Sequence, residues 1–252
     1  GQAYEYSNHM PFAAMWPKGI QKPGLVLEDY VSFIDIAPTF LEVANVEGES
    51  AGMEPVTGRS LTDIFNSEAE GQVNPARDHV LIGKERHDVG RPQNQGYPIR
   101  GIVKDNMIYL QNFEPERWPI GNPETGYLNT DASPTKTLIL NQRREGTETK
   151  FWQLNFGKRV SEEFYHTSRD PDCVINLATN PEYDRKREEF RQLLETRLQE
   201  ENDPRMAGEG EIFDEYGFHS KQWPNFYERV IENGEKIRTG WVLDSDYEKD
   251  LS

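Results

Sequence analysis

The residues predict a stretch of α/β layering followed by a small antiparallel sheet with one packed helix, and three observations carry that expectation. The apolar runs PFAAMW (11–16) and YVSFIDI (30–36) read as strands, and the second leads into PTFLEVANV, where Phe40, Leu41 and Ala44 recur at helical spacing. The chain then changes character: VLIG (80–83), RGIVK (100–104) and MIYLQNF (107–113) read as short strands joined by turns. Residues 184–201 place Phe190, Leu193, Leu194 and Leu198 on one face of a helix, with charges elsewhere.

The connections follow from turn chemistry. Pro38 suits an early helical position, where a missing N–H costs nothing. Residues 46–59 read as a loop, 59–65 as a short helix and 66–78 as a polar connection. Lys104-Asp105-Asn106 suits a hairpin turn. Residues 114–137, rich in Pro, Gly, Asn and Asp, read as a long irregular loop. Asp203-Pro204 ends the long helix. The last fifty residues are polar yet carry Trp223, Phe226, Tyr227 and Trp241, the composition of a tail that wraps another surface. The expected organisation is therefore 1–77 as the α/β part, 78–205 as the sheet-plus-helix subdomain and 206–252 as a polar tail.

Of 252 residues, 35% are hydrophobic and 29% charged, and the 12 Phe, 11 Tyr and 5 Trp argue against disorder throughout. A net charge of −16 disfavours nucleic acid and membrane surfaces as partners. It also requires local basic residues wherever an anionic sugar is to be held. No run of about 18 apolar residues offers a membrane span. The single cysteine, Cys173, allows no disulfide within the chain. The chain opens at Gly1 without Met and reads as beginning inside an ordered unit.

Three stretches together resemble one family. YEYSNHMPFAAMWP (4–17) is followed by KPG and then VSFIDIAPTFLEVANV; Thr57-Gly58-Arg59-Ser60-Leu61 precedes a short helix; and EEFYHTSRDPDCVINLATNPEY closes the set. Their order and spacing are similar to those of sulfatases of the alkaline-phosphatase-like superfamily. The segment GKERHDVGRPQNQGYPIRGIVKDNMIYLQNFEPERWP resembles the heparan N-sulfatase (sulfamidase) subset. The resemblance covers roughly residues 1–205 and implies the carboxy-terminal part of the sulfatase α/β domain plus the antiparallel subdomain with its helix.

The resemblance also implies a chemistry that this stretch does not carry by itself. Sulfatases use a formylglycine made from Cys or Ser in a Cys/Ser-x-Pro-x-Arg motif; Cys173 sits in CVINL and does not fit. The family's calcium would be held by residues of the amino-terminal half, with none bound by this chain alone, and a catalytic cation would fall immediately before Gly1. That half is the implied partner. The implied substrate is a sulfated sugar of glycosaminoglycan type, and the implied location is periplasmic or secreted, or lysosomal in a eukaryote.

What remains is recognition of a sulfated sugar, which needs cations and hydrogen-bond donors. Arg86, His87 and Arg91, with Glu85 and Asp88, form the densest cluster, in a loop between two expected strands; a solvated loop histidine is the plain alternative for His87. Arg100 matches an Arg of the family, with pairing to a carboxylate preferred over recognition. His9 is a further candidate, although His9 and Tyr6-Ser7 depart from the Arg and Gly-Gly usual there. Trp118, beside Arg117, offers a ring for a sugar or an anchor for its loop. His79 and His166 read as structural. Three functions stay open: part of a sulfatase, a non-catalytic sulfated-glycan-binding or scaffold module, and a phosphatase or phosphonate hydrolase of the same superfamily.

Overall fold

The computed structural model describes residues 2–218 and 223–248. Its centre is a four-stranded antiparallel sheet in the order β1 (Val80–Lys84), β2 (Ile99–Lys104), β3 (Met107–Asn112) and β4 (Glu162–His166). β2 and β3 close through Asp105 and Asn106, both in the left-handed region at φ 50° and 56°, as a two-residue hairpin turn of Asp and Asn requires. His79 directly precedes β1 and His166 ends β4.

Period-two alternation gives the sheet two buried faces. Ile102, Met107, Tyr109 and Phe164 point to one side and pack on Phe190, Leu194 and Leu198 of α6 (Asp184–Glu200). That is the amphipathic helix expected from 184–201. Ile99, Ile108, Leu110 and Tyr165 point to the other side, where Ala3, Tyr97 and Cys173 complete a second core. Glu163 and Lys84 share this second face, since Glu163 pairs with Leu110 and Lys84 with Ile99 in register.

The expected strands at 11–16 and 30–36 do not form. Residues 11–16 have no regular structure, and 33–35 are a 3-10 turn that runs straight into α2 (Ile36–Ala44), which follows α1 (Glu5–Asn8). Their apolar side chains face outward: Phe12, Met15, Phe33 and Ile34 are all exposed. β-propensity lost here because, among the described residues, no neighbouring strand accepts the backbone hydrogen bonds.

The motif residues nevertheless have firm structural work. Asp35 is buried; its Oδ1 accepts the Arg59 N–H at 2.8 Å and its Oδ2 accepts the Ser32 N–H at 3.2 Å. The Thr39 hydroxyl donates to the Asp35 carbonyl and accepts the Leu61 N–H at 2.8 Å. Arg77, 1% exposed, joins Asp35 at 3.1 Å and Asp63 at 3.0 Å. Gly58 is required because a Cβ there would lie 2.2 Å from the Ile34 carbonyl oxygen. Two of the three resemblance motifs, with α3 (Thr62–Phe65), thus form one bonded brace.

The third motif is also a brace. Asn176 Oδ1 accepts the N–H groups of Phe164 and Ala178, both at 2.9 Å, and Asp170 accepts the Ile175 N–H at 2.7 Å. Between β3 and β4 the chain leaves the sheet and forms α4 (Pro134–Glu145) and α5 (Lys150–Asn155). The irregular loop expected through 137 therefore stops at Ser133, whose hydroxyl caps α4 by accepting the Lys136 N–H at 3.1 Å, with Pro134 at the first helical position. The tail carries α7 (Ile212–Glu215) and folds back over the loops at the β1–β2 end.

Candidate substrate-recognition site

The loop 85–98 joins β1 to β2 and carries most of the cluster read from the sequence. Its ends are drawn together by the Tyr97 N–H, which donates to the Glu85 carbonyl at 2.8 Å; a Cβ on Gly96 would lie 2.5 Å from that same oxygen, so only glycine fits. Val89, fully buried, packs with Leu128 and Phe226. His87 between these anchors is exposed. Partial burial, with the cations Lys84 and Arg91 nearby, holds its imidazole below the ordinary histidine value, against an opposing pull from Asp88.

The arginines of the cluster have partners within the protein. Arg91 is 1% exposed; Nε donates to the Trp118 carbonyl at 2.6 Å and Nη2 to the Pro119 carbonyl at 2.8 Å. Burial pushes its guanidinium down to about 10. Arg91 thereby pins the loop that follows β3. Arg86 donates to the carbonyls of Asn94 at 3.0 Å and Tyr216 at 2.8 Å. Arg100 lies on the α6 side of the sheet, where it pairs with Glu85 at 2.5 Å and Asp203 at 2.6 Å, the preferred carboxylate pairing. Glu85 is also gripped by Arg205 through both carboxylate oxygens, at 2.8 and 2.6 Å. His9 is exposed and sits 2.7 Å from Glu5. The structure thus brings Arg86, His87 and Arg91 onto one loop, puts Arg100 on the opposite face of the sheet, and leaves His9 paired on α1.

The sequence reading missed the floor beneath this loop. The Lys84 ammonium lies 5.7 Å from the centre of the Tyr97 ring, and the Arg91 guanidinium 5.8 Å from it. Burial, with Arg91 and Arg159 adding to it, pushes Lys84 down to about 7. Alongside, Glu163 is 3% exposed and accepts the hydroxyls of Tyr4 at 2.8 Å and Tyr165 at 2.6 Å, and the Asn112 amide at 2.7 Å. A buried carboxylate served by neutral donors is stabilised without a direct ion pair. The one available signal was Lys84 at the end of a strand whose alternate residue, Ile82, faces the core. The Tyr4–Glu163 contact spans 159 residues and leaves no local trace.

Cys173 is buried and its thiol is pushed up to about 11 by burial, the opposite of an activated nucleophile. Among the described residues no group of three or more His, Cys, Asp or Glu side chains could hold a metal ion. No helix among them is long and apolar enough to cross a membrane.

Comparison with known proteins bears out the resemblance to sulfatases read from the sequence. The chain is similar to sulfatases. It is 26% identical over 212 residues to N-sulphoglucosamine sulphohydrolase of Homo sapiens, a match covering 81% of this chain and 39% of that protein. Two ulvan-active sulfatases of Formosa agariphila match at 24% and 26% identity, covering 69% and 72% of this chain and 30% and 27% of theirs. The chain therefore spans well under half the length of these curated relatives. No family model matches it. Among solved structures, a protein in complex with its substrate D-glucosamine-2-N,6-O-disulfate shares 19% identity at a TM-score of 0.39, covering 68% of this chain and 24% of that one.

Proposed function

We propose that this chain is the carboxy-terminal, specificity-bearing part of a sulfatase that hydrolyses an N-sulfate or sulfate ester on a glycosaminoglycan-type sugar. The observation that carries the reading is the loop 85–98: its arginines and glycine fix its shape, and His87 stands exposed on it, near enough to Lys84 and Arg91 to feel their charge. An exposed imidazole near buried cations suits a sulfate group. The similarity to N-sulphoglucosamine sulphohydrolase, over 81% of the chain, supports the choice of substrate class.

In this reading the formylglycine and the calcium ligands belong to an amino-terminal part of the same enzyme. The exposed apolar side chains along the first sixty residues support it. Met15 is 89% exposed, Val26 75% and Phe40 70%, a surface suited to burial against another layer. The division of labour is tested by assaying the purified 252-residue chain on a chromogenic sulfate ester. No turnover is expected; measurable turnover overturns the division.

A further inference from the structure

The tail closes on the loop that carries His87. Asp214 Oδ1 accepts the Gly96 N–H at 2.9 Å, while its Oδ2 accepts from Arg117 at 2.8 Å. The Arg86 guanidinium donates to the Tyr216 carbonyl at 2.8 Å and lies 5.6 Å from the centre of the Phe218 ring. Asn94 and Asn225 exchange two hydrogen bonds, at 2.8 and 2.9 Å. The Glu228 carboxylate accepts the Gln93 N–H. Phe226 is buried against Val89 and Leu128.

These bonds fall where the loop needs them. Gln93 and Asn94 both adopt left-handed backbone, at φ 56° and 54°, a conformation that side chains other than Gly disfavour and Gln more than Asn. Each carries a tail partner, Glu228 on Gln93 and Asn225 on Asn94. Gly96, where only glycine fits, carries Asp214. His87 takes part in none of these bonds, so the tail fixes the frame around it and leaves the imidazole open.

We propose that residues 212–218 and 223–230 are a positioning clamp for the loop 85–98: Asp214, Asn225 and Glu228 set the place of His87, and Arg86 belongs to the clamp. The proposal deepens the reading of this loop as the recognition element and rests on it. It makes the tail a determinant of sugar affinity through the loop that it holds.

The test is amide hydrogen exchange on the full chain, paired with titration by D-glucosamine N-sulfate. In Asp214→Ala the Gly96 amide should exchange about tenfold faster, and in Glu228→Ala the Gln93 amide likewise, the size expected for loss of one well-placed acceptor. The amides of Ile102 and Leu110 in the sheet should stay within twofold, which shows that the fold persists. Asp214→Asn keeps an oxygen for Gly96 and should restore the protection. Affinity for the sugar should fall at least fivefold in Asp214→Ala and recover in Asp214→Asn. Unchanged exchange at Gly96 and Gln93 overturns the clamp. Faster exchange with undiminished affinity overturns its positioning role. Faster exchange with no binding by any form, wild type included, upholds the clamp and overturns the recognition reading instead.

Discussion

The Oδ1 of Asp35 accepts the backbone N–H of Arg59 at 2.8 Å, across 24 residues of chain, and the same carboxylate meets the buried Arg77 at 3.1 Å. One side chain thereby ties the first resemblance motif to the second. Asp35→Ala removes an acceptor from two backbone N–H groups and an anion from a buried guanidinium. Breaking a buried pair from one side costs about 3–5 kcal/mol, and Asp35→Asn, which retains an oxygen, should cost less. Urea midpoints of the two variants check this; equal, small losses would show that Arg77 is held without Asp35, by Asp63 and the Arg59 and Ser60 carbonyls.

Glu163 offers a second test of stability. Tyr4→Phe deletes one of its three donors and should destabilise by about 1–3 kcal/mol. Because Tyr4 and Glu163 share one network, the loss in Tyr4→Phe/Glu163→Gln should fall short of the sum of the single losses. Additive losses would mean that the 2.8 Å contact contributes nothing of its own.

Lys84 gives stability a pH dependence of defined sign. Its folded-state value is about 7 against 10.5 for an ordinary lysine, so between these values the unfolded chain holds a proton that the folded protein releases. Stability should therefore rise from pH 7 towards 10. Above 10 it should fall, because burial keeps Tyr4, Tyr97 and Tyr165 protonated in the fold. In Lys84→Met the rise between pH 7 and 9.5 should shrink, leaving the part that the buried Lys136 contributes, as read from urea unfolding at the two pH values. A slope unchanged by the substitution would assign the effect elsewhere.

The sheet was legible in the sequence because its strands are short apolar runs with a hairpin turn of Asp and Asn between two of them, and α6 because its apolar residues keep a strict helical period. The strands expected at 11–16 and 30–36 were misread because apolar, β-branched residues signal burial without naming the layer that buries them. In this chain Phe12, Met15 and Ile34 are uncovered. The start of α4 was written in Ser133-Pro134 and was obscured by the turn-rich residues before it. The basic cluster of the loop was visible, but the division of labour within it was not. Arg91 and Arg100 bind partners 27 and 103 residues away, contacts that no local pattern encodes.

The most direct test of the recognition reading is a titration of the full chain with D-glucosamine N-sulfate, followed by amide chemical shifts, with unsulfated glucosamine as control. Shifts should centre on residues 85–98, require the sulfate and weaken with added salt. Binding should tighten as the pH falls below the ordinary histidine range, where His87 gains its proton, and His87→Ala should lose that dependence. Shifts that are absent, that lie away from this loop, or that appear equally with unsulfated glucosamine would contradict the assignment of sugar recognition to this chain.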